Sequence, residues 1–262
     1  MLSKLFQSEP PLDEPSALWL FDAYAWSLRN LDARVFFDES ILVTPTNEHF
    51  PGRGNSVSEM AALMFERVAA YAGMAHWPFR LLDANACTLE PPGQIRIEGA
   101  LRGSAGLPAT AGQPGISISY DPAMLNNPEA MIAGFAHALA HHLGTTVQET
   151  PPGGAENWPH LTEVVAVFLG FGLLFANSAF NVKVGCGGSC GTTAADRQSY
   201  LSQYDITYGL ALFAVLKQIP DKQVLKHLKS SLRGHYKRCV KDIRGRREAL
   251  ERLQAYRQAA PA

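Results

Sequence analysis

Two histidines four residues apart, His137 and His141, carry the first chemical signal in this 262-residue chain. They lie in PEAMIAGFAHALAHHLG, a stretch of strong helical periodicity, so both imidazoles leave one face of a helix a turn apart. That spacing suits one zinc ion. Zinc takes a third protein ligand, usually His or a carboxylate, and in catalytic sites leaves a fourth position to water. Glu163 follows His141 by 22 residues, at the start of the next apolar segment. Two antiparallel helices joined by a loop would bring it near the end of the histidine helix. A plainer explanation fits the same residues. His141 and His142 occupy the last turn, where an imidazolium interacts well with the helix dipole. His137 then reads as a hydrogen-bonded core histidine. The spacing alone leaves the two explanations level.

The elements that must position these residues follow from hydrophobic period and turn chemistry. Residues 16–32 form a helix with a Ser N-cap and Leu18, Phe21, Tyr24 or Ala25, and Leu28 on its apolar side. A short strand is expected at 40–44, SILVT. A second helix runs from about Ser56 to Ala72, with Met60, Leu63, Met64 and Val68 on one side, and residues 78–90 are ambiguous. IRIEGAL (95–101) and ISISYD (116–121) alternate as half-buried strands and read as a hairpin or as antiparallel neighbours. The histidine helix starts near Asn127-Pro128 and ends at Gly144, a natural C′ residue. After a polar, proline-rich loop come an apolar helix at 161–180, a glycine-rich loop, a helix at about 202–218, and another at 222–257 broken near Gly234 or Gly245.

With those elements in place, GFAHALAHHLG resembles the HExxH zinc helix of the zincin metallopeptidases with one residue changed. A helix that opens on glutamate after a loop resembles the gluzincin branch, whose third ligand is such a glutamate. The strand ISISYD before the helix is similar to the zincin edge strand, along which an extended peptide can bind by strand addition. PHLTEVVAVFLGFG, and the YLS and tyrosine pattern from Tyr200 to Tyr208, are similar to a group of largely uncharacterised bacterial zinc peptidases. The resemblance covers roughly residues 115–215. It implies His137, His141 and Glu163 as zinc ligands and a peptide or protein as substrate. His160, one turn before Glu163, is the competing third ligand, or a donor that orients a carboxylate, and ranks behind Glu163. The acid that often stands four residues after the ligand glutamate is replaced here by Val167.

Ala138 occupies the place of the catalytic glutamate. In an HExxH enzyme that glutamate takes a proton from the zinc-bound water and passes it to the leaving amine. A general base contributes about 10²–10⁴-fold, and alanine accepts no proton. The chain as written is therefore expected to bind zinc and peptide but to hydrolyse poorly. An engineered inactivation and a natural loss that left a metal-binding pseudopeptidase both give this sequence. Substitution of the base by Glu149 or Glu156 of the loop ranks last. Tyr204 and Tyr208, one turn apart, can be read as oxyanion-stabilising phenols or as packing aromatics. Cys186 and Cys190, in CGGSC, read as part of a flexible loop, and Cys87 and Cys239 as apolar positions.

Composition frames these expectations. The hydrophobic set is 47% and the charged set 18%, an ordinary globular balance. The first residues lack the apolar core of a secretory signal, and four cysteines in so long a chain make no disulfide framework. A reducing compartment, the cytoplasm, is the default. Nineteen residues after Glu163 carry no formal charge, close to the roughly 20 needed to cross a bilayer. Asn177, Ser178 and Asn181 interrupt them, which argues for a buried helix over a membrane span. Residues 226–257 hold 11 Lys/Arg against 3 Asp/Glu, and the remainder is net acidic. The basic segment reads as a solvated helical face or a surface for an acidic partner, more than as a nucleic-acid arm. The expected fold is α+β, helix-dominated and zincin-like, with a small antiparallel strand pair before the zinc helix. One domain spans 1–262, with an N-terminal helical lobe at 1–90, a zinc-site core at 91–220 and a basic C-terminal helix at 221–262.

Overall fold

A computed structural model describes residues 9–84, 97–108, 115–178 and 200–259. Helix α1 (Glu14–Asn30) begins two residues earlier than its apolar pattern suggests, because Asp13 and not Ser16 is the cap. The Asp13 carboxylate accepts the Ser16 amide at 2.9 Å, and Pro15 sits in the first turn. Phe21, Tyr24, Trp26 and Leu28 are buried, whereas Leu18 is 47% exposed. α2 (Val57–Tyr71) starts as expected, with the Ser56 hydroxyl accepting the Glu59 amide.

The strands differ from expectation in partner and in direction. β1 (Phe79–Asp83) lies in the ambiguous stretch and pairs with β2 (Ile116–Tyr120) in parallel, Phe79 opposite Ile116. The part of the expected strand at 95–101 that falls within the described residues forms only an isolated antiparallel bridge between Gly99 and Gly106. Alternation predicts which face of a strand is buried, as it is for Ile116, Ile118 and Tyr120. It carries no information on which strand is adjacent or which way it runs. A helix-dominated α+β architecture holds; the antiparallel pair does not.

Residues 40–44 are not a strand either. The Val43 amide donates to the Gly170 carbonyl at 3.0 Å, so this segment lies against the apolar helical run that starts near residue 155. That run comprises α4 (Trp158–Ala166), a π-helical turn at Val167–Phe171 and α5 (Gly172–Ser178). Gly170 has φ 106°, and a Cβ there would stand 2.1 Å from the Ile41 carbonyl oxygen. Only glycine meets both conditions. The run is apolar enough to cross a membrane by composition, with mean hydropathy 1.7, yet 94% of that window is buried inside the protein.

Helix α3 (Pro128–Gly144) keeps the expected bounds, capped by the Asn127 side chain. Gly144 is its last residue and admits α4: a Cβ would meet the Trp158 ring at 3.1 Å. α3 packs on α2, α4 and α5. α6 (Gln203–Leu216) packs on α5 and on α8 (Ser230–Gly245). The C-terminal region holds three helices in place of one broken once: α7 (Asp221–His227), α8 and α9 (Arg247–Ala259). The break at Gly245-Arg246 appears where expected. Gly234 is mid-helix, and a further break falls at Leu228-Lys229.

Arg102 holds the segment 97–108 to these helices. Its guanidinium is fully buried and donates to the carbonyls of Ala72 and Leu31 and to the Ser40 hydroxyl, at 3.0–3.1 Å. It also lies over the Phe168 ring. Burial lowers its pKa to about 10, which keeps the group charged at neutral pH.

Candidate metal centre

α1 fixes the loop between α3 and α4. The Trp19 indole donates to the Pro152 carbonyl at 2.9 Å and the Trp26 indole to that of Glu149 at 3.1 Å. Trp26 also meets the Trp158 ring edge-on. These contacts set where α4 begins and so where Glu163 stands relative to α3. Glu149 is occupied: its carboxylate binds Arg29 at 2.5 Å and Asn30 at 2.9 Å. That pairing holds its pKa below the usual carboxylate range.

His137 and Glu163 are buried, each 5% exposed, on the packed helices α3 and α4. His141 is exposed at the end of α3, its ring 5.6 Å from that of His142. Both Glu163 oxygens accept backbone amides, Oε1 from Tyr200 at 3.0 Å and Oε2 from Leu201 at 2.8 Å. These amides directly precede Ser202, the N-cap of α6, which forms a capping box with Asp205. Glu163 therefore anchors the entrance of α6.

Among the described residues, no three of His, Cys, Asp or Glu stand close enough together to hold a metal ion. The expected triad is thus not drawn together there as a closed set, although its donor types suit zinc. Two other ring nitrogens nearby in sequence stand out. Nε2 of His142 and Nδ1 of His160 are buried and meet no hydrogen-bond partner among the described residues. Burial and the neighbouring His141 push the pKa of His142 down to about 4. His160 lies between aromatic edges, 6.4 Å from Trp19 and 5.5 Å from Tyr200.

Tyr204 and Tyr208 both make packing contacts within the fold, the second of the two readings their spacing leaves open. Tyr208 is fully buried and its hydroxyl donates to Asp242 at 2.6 Å. Burial, then Asp242, holds its pKa far above the ordinary phenol value, so its proton serves α8. The ring of Tyr204 packs on His235 at 4.8 Å. Tyr200 is the tyrosine beside His160, 45% exposed. The hydrogen bond from its amide to Glu163 spans 37 residues of chain, a separation that no local sequence pattern reports. Cys186 and Cys190 lie outside the described residues, as does Cys87. Cys239 is buried, and burial pushes its thiol up to about 12.

Comparisons with protein-family models, with curated proteins and with solved structures give no match. The functional reading rests on the residues.

Proposed function

We propose that the chain is a zincin-like metallopeptidase scaffold for a peptide or protein substrate, which lacks its general base as written. His137, His141 and Glu163 are the candidate zinc ligands, although they do not stand as a closed set in this structure. The supporting observation is the burial of an imidazole and a carboxylate, His137 and Glu163, on two helices packed together. When bound, zinc lowers the pKa of its water to about 7 and polarises a carbonyl. The chain's own contributions are narrower. Glu163 ties α4 to the start of α6, Tyr200 stands at the surface beside His160, and Ala138 offers no atom to accept a proton.

A metal-retaining pseudopeptidase that serves as an interaction module is the second reading. It is favoured by Ala138 being packed as a core residue, 7% exposed. Ala138→Glu separates the two. On the first reading, the variant with zinc bound cleaves a broad peptide library at a rate at least about 10²-fold above the unaltered chain. A zinc-loaded variant that stays inert supports the second.

A further inference from the structure

Every exposed residue of α8 is a serine, a glycine, a lysine or an arginine. The helix keeps its apolar side, Leu232, Tyr236, Val240 and Ile243, inside the protein. Its one acid, Asp242, binds Tyr208 and Arg246. Elsewhere in the basic C-terminal segment the arginines are used internally: Arg246, Arg252 and Arg257 reach Glu14, Asp22 and Asp38. On α8 only Arg244 meets a carboxylate among the described residues, Asp221 at 3.7 Å. Arg233 donates to the Leu228 carbonyl and Arg238 approaches His235 Nδ1, and neither contact neutralises a charge. Arg233, Lys237 and Lys241 stand four residues apart, a spacing at which like charges repel along a helix. Gly234 shares a face with Lys237, Arg238 and Lys241. Glycine weakens a helix at such a mid-helix position, and a Cβ there would meet no atom within 4 Å. Packing inside the protein requires neither the row of cations nor the glycine.

An aromatic ring borders this face. Tyr204, near the start of α6, is 48% exposed, and its ring lies against that of His235 at 4.8 Å. Nδ1 of the same His235 stands 3.5 Å from the Arg238 guanidinium, so an open phenol ring adjoins the cations. Ser230, Ser231 and Gly234 keep the N-terminal half of the face low, which lets a ligand's backbone come close to the helix. The cations follow α8 for about three turns, so the occupant they suit is anionic and extended. A bilayer surface is disfavoured, because the exposed face of α8 has no apolar side chain to enter it. An acidic peptide answers the cations but not the ring. A single-stranded nucleic acid answers both, with phosphates on the lysines and arginines and a base against Tyr204. A duplex keeps its bases stacked on one another and leaves the ring unused.

We propose that the exposed face of α8, with Tyr204 at its border, binds single-stranded nucleic acid. The inference is independent of zinc, and its test needs neither metal nor catalysis. Fluorescence anisotropy of the full chain uses a labelled single strand of about 12 nucleotides, long enough to span such a face. At about 50 mM salt the strand binds with Kd of about 1–100 μM, and log K falls against log salt with a slope of about −2 to −3, as for three or four neutralised phosphates. Lys237→Gln combined with Lys241→Gln weakens binding and reduces the magnitude of that slope by about 1.4. Tyr204→Leu weakens binding at least about fivefold with the slope unchanged, whereas Tyr204→Phe, which keeps the ring, binds like the unaltered chain. Arg67→Gln, an exposed cation of α2, changes neither quantity. The inference is overturned if the strand does not bind at about 100 μM protein and 50 mM salt, or if a duplex of the same sequence or a polyglutamate of equal charge binds as tightly. It is also overturned if phosphatidylserine-rich vesicles bind and the strand does not, or if either the lysine pair or Tyr204→Leu leaves the affinity unchanged.

Discussion

Two polar regions of this molecule are built to opposite rules. Where α1, α6 and α8 meet, the polar groups form a closed chain. Tyr208 donates to Asp242, Asp242 accepts from Arg246 Nε at 2.8 Å, and the Arg246 guanidinium makes a two-pronged bond to Glu14 at 2.7–2.8 Å. On α3 and α4, by contrast, His142 Nε2 and His160 Nδ1 are buried with no partner among the described residues. A polar cluster whose donors all find acceptors holds helices together and has nothing left for a ligand. Buried ring nitrogens without partners cost stability, and a bound group would offset that cost. Tyr236 on α8 also keeps a buried hydroxyl without a partner, and nothing in the structure explains it.

Asp242→Ala breaks the comparison from the architectural side. It strands the Tyr208 hydroxyl and half of the Arg246 head, and is expected to cost about 3 kcal/mol in urea unfolding. A cost under about 1 kcal/mol would show that the closed chain is not what joins α6 to α8. Tyr208→Phe removes one bond to a carboxylate, and the expected loss is about 1–2 kcal/mol. From the other side, His160→Phe should change the stability of the metal-free chain by less than about 1 kcal/mol in either direction, because no bond made by Nδ1 is lost. A loss above about 2 kcal/mol would place His160 among the architectural groups.

The smallest effect is in pH dependence. Burial lowers the pKa of His235, with Arg238 adding to the shift and Tyr204 and Asp205 opposing it. The folded state prefers the neutral ring. The unfolded chain, with an ordinary histidine value of about 6.5, therefore binds the proton more readily. This contribution is present above about pH 6.5 and is lost as pH falls through the lowered folded value. His235→Gln should flatten the decline in stability between pH 7 and pH 5, and an unchanged slope would rule out His235 as a source of it.

Helices with local signals were legible from sequence. α2 and α3 begin at caps that the residues announce, Ser56 and Asn127, and the i, i+4 histidines fall on one helix as their spacing requires. Features that depend on contacts distant in sequence were not. The parallel pairing of β1 with β2 is invisible to alternation. The π-turn at Gly170 has its reason in Ile41, far away in the chain. Arg102 sits in a glycine-rich, outwardly polar stretch, yet three acceptors from three other segments bury it. At the site, the residue types of the proposed ligands could be read from sequence. The bonds of Glu163 to Tyr200 and Leu201, and the commitment of Tyr208 to Asp242, could not, because each partner lies more than thirty residues away.

The central claim is a zinc site on α3 and α4, and the metal content of the purified full chain tests it most directly. After equilibration with zinc and removal of excess, elemental analysis should find one zinc ion per chain, lost in His137→Ala and in Glu163→Ala with the fold retained by circular dichroism. A chain that holds no zinc, or one whose zinc survives both substitutions, would contradict it.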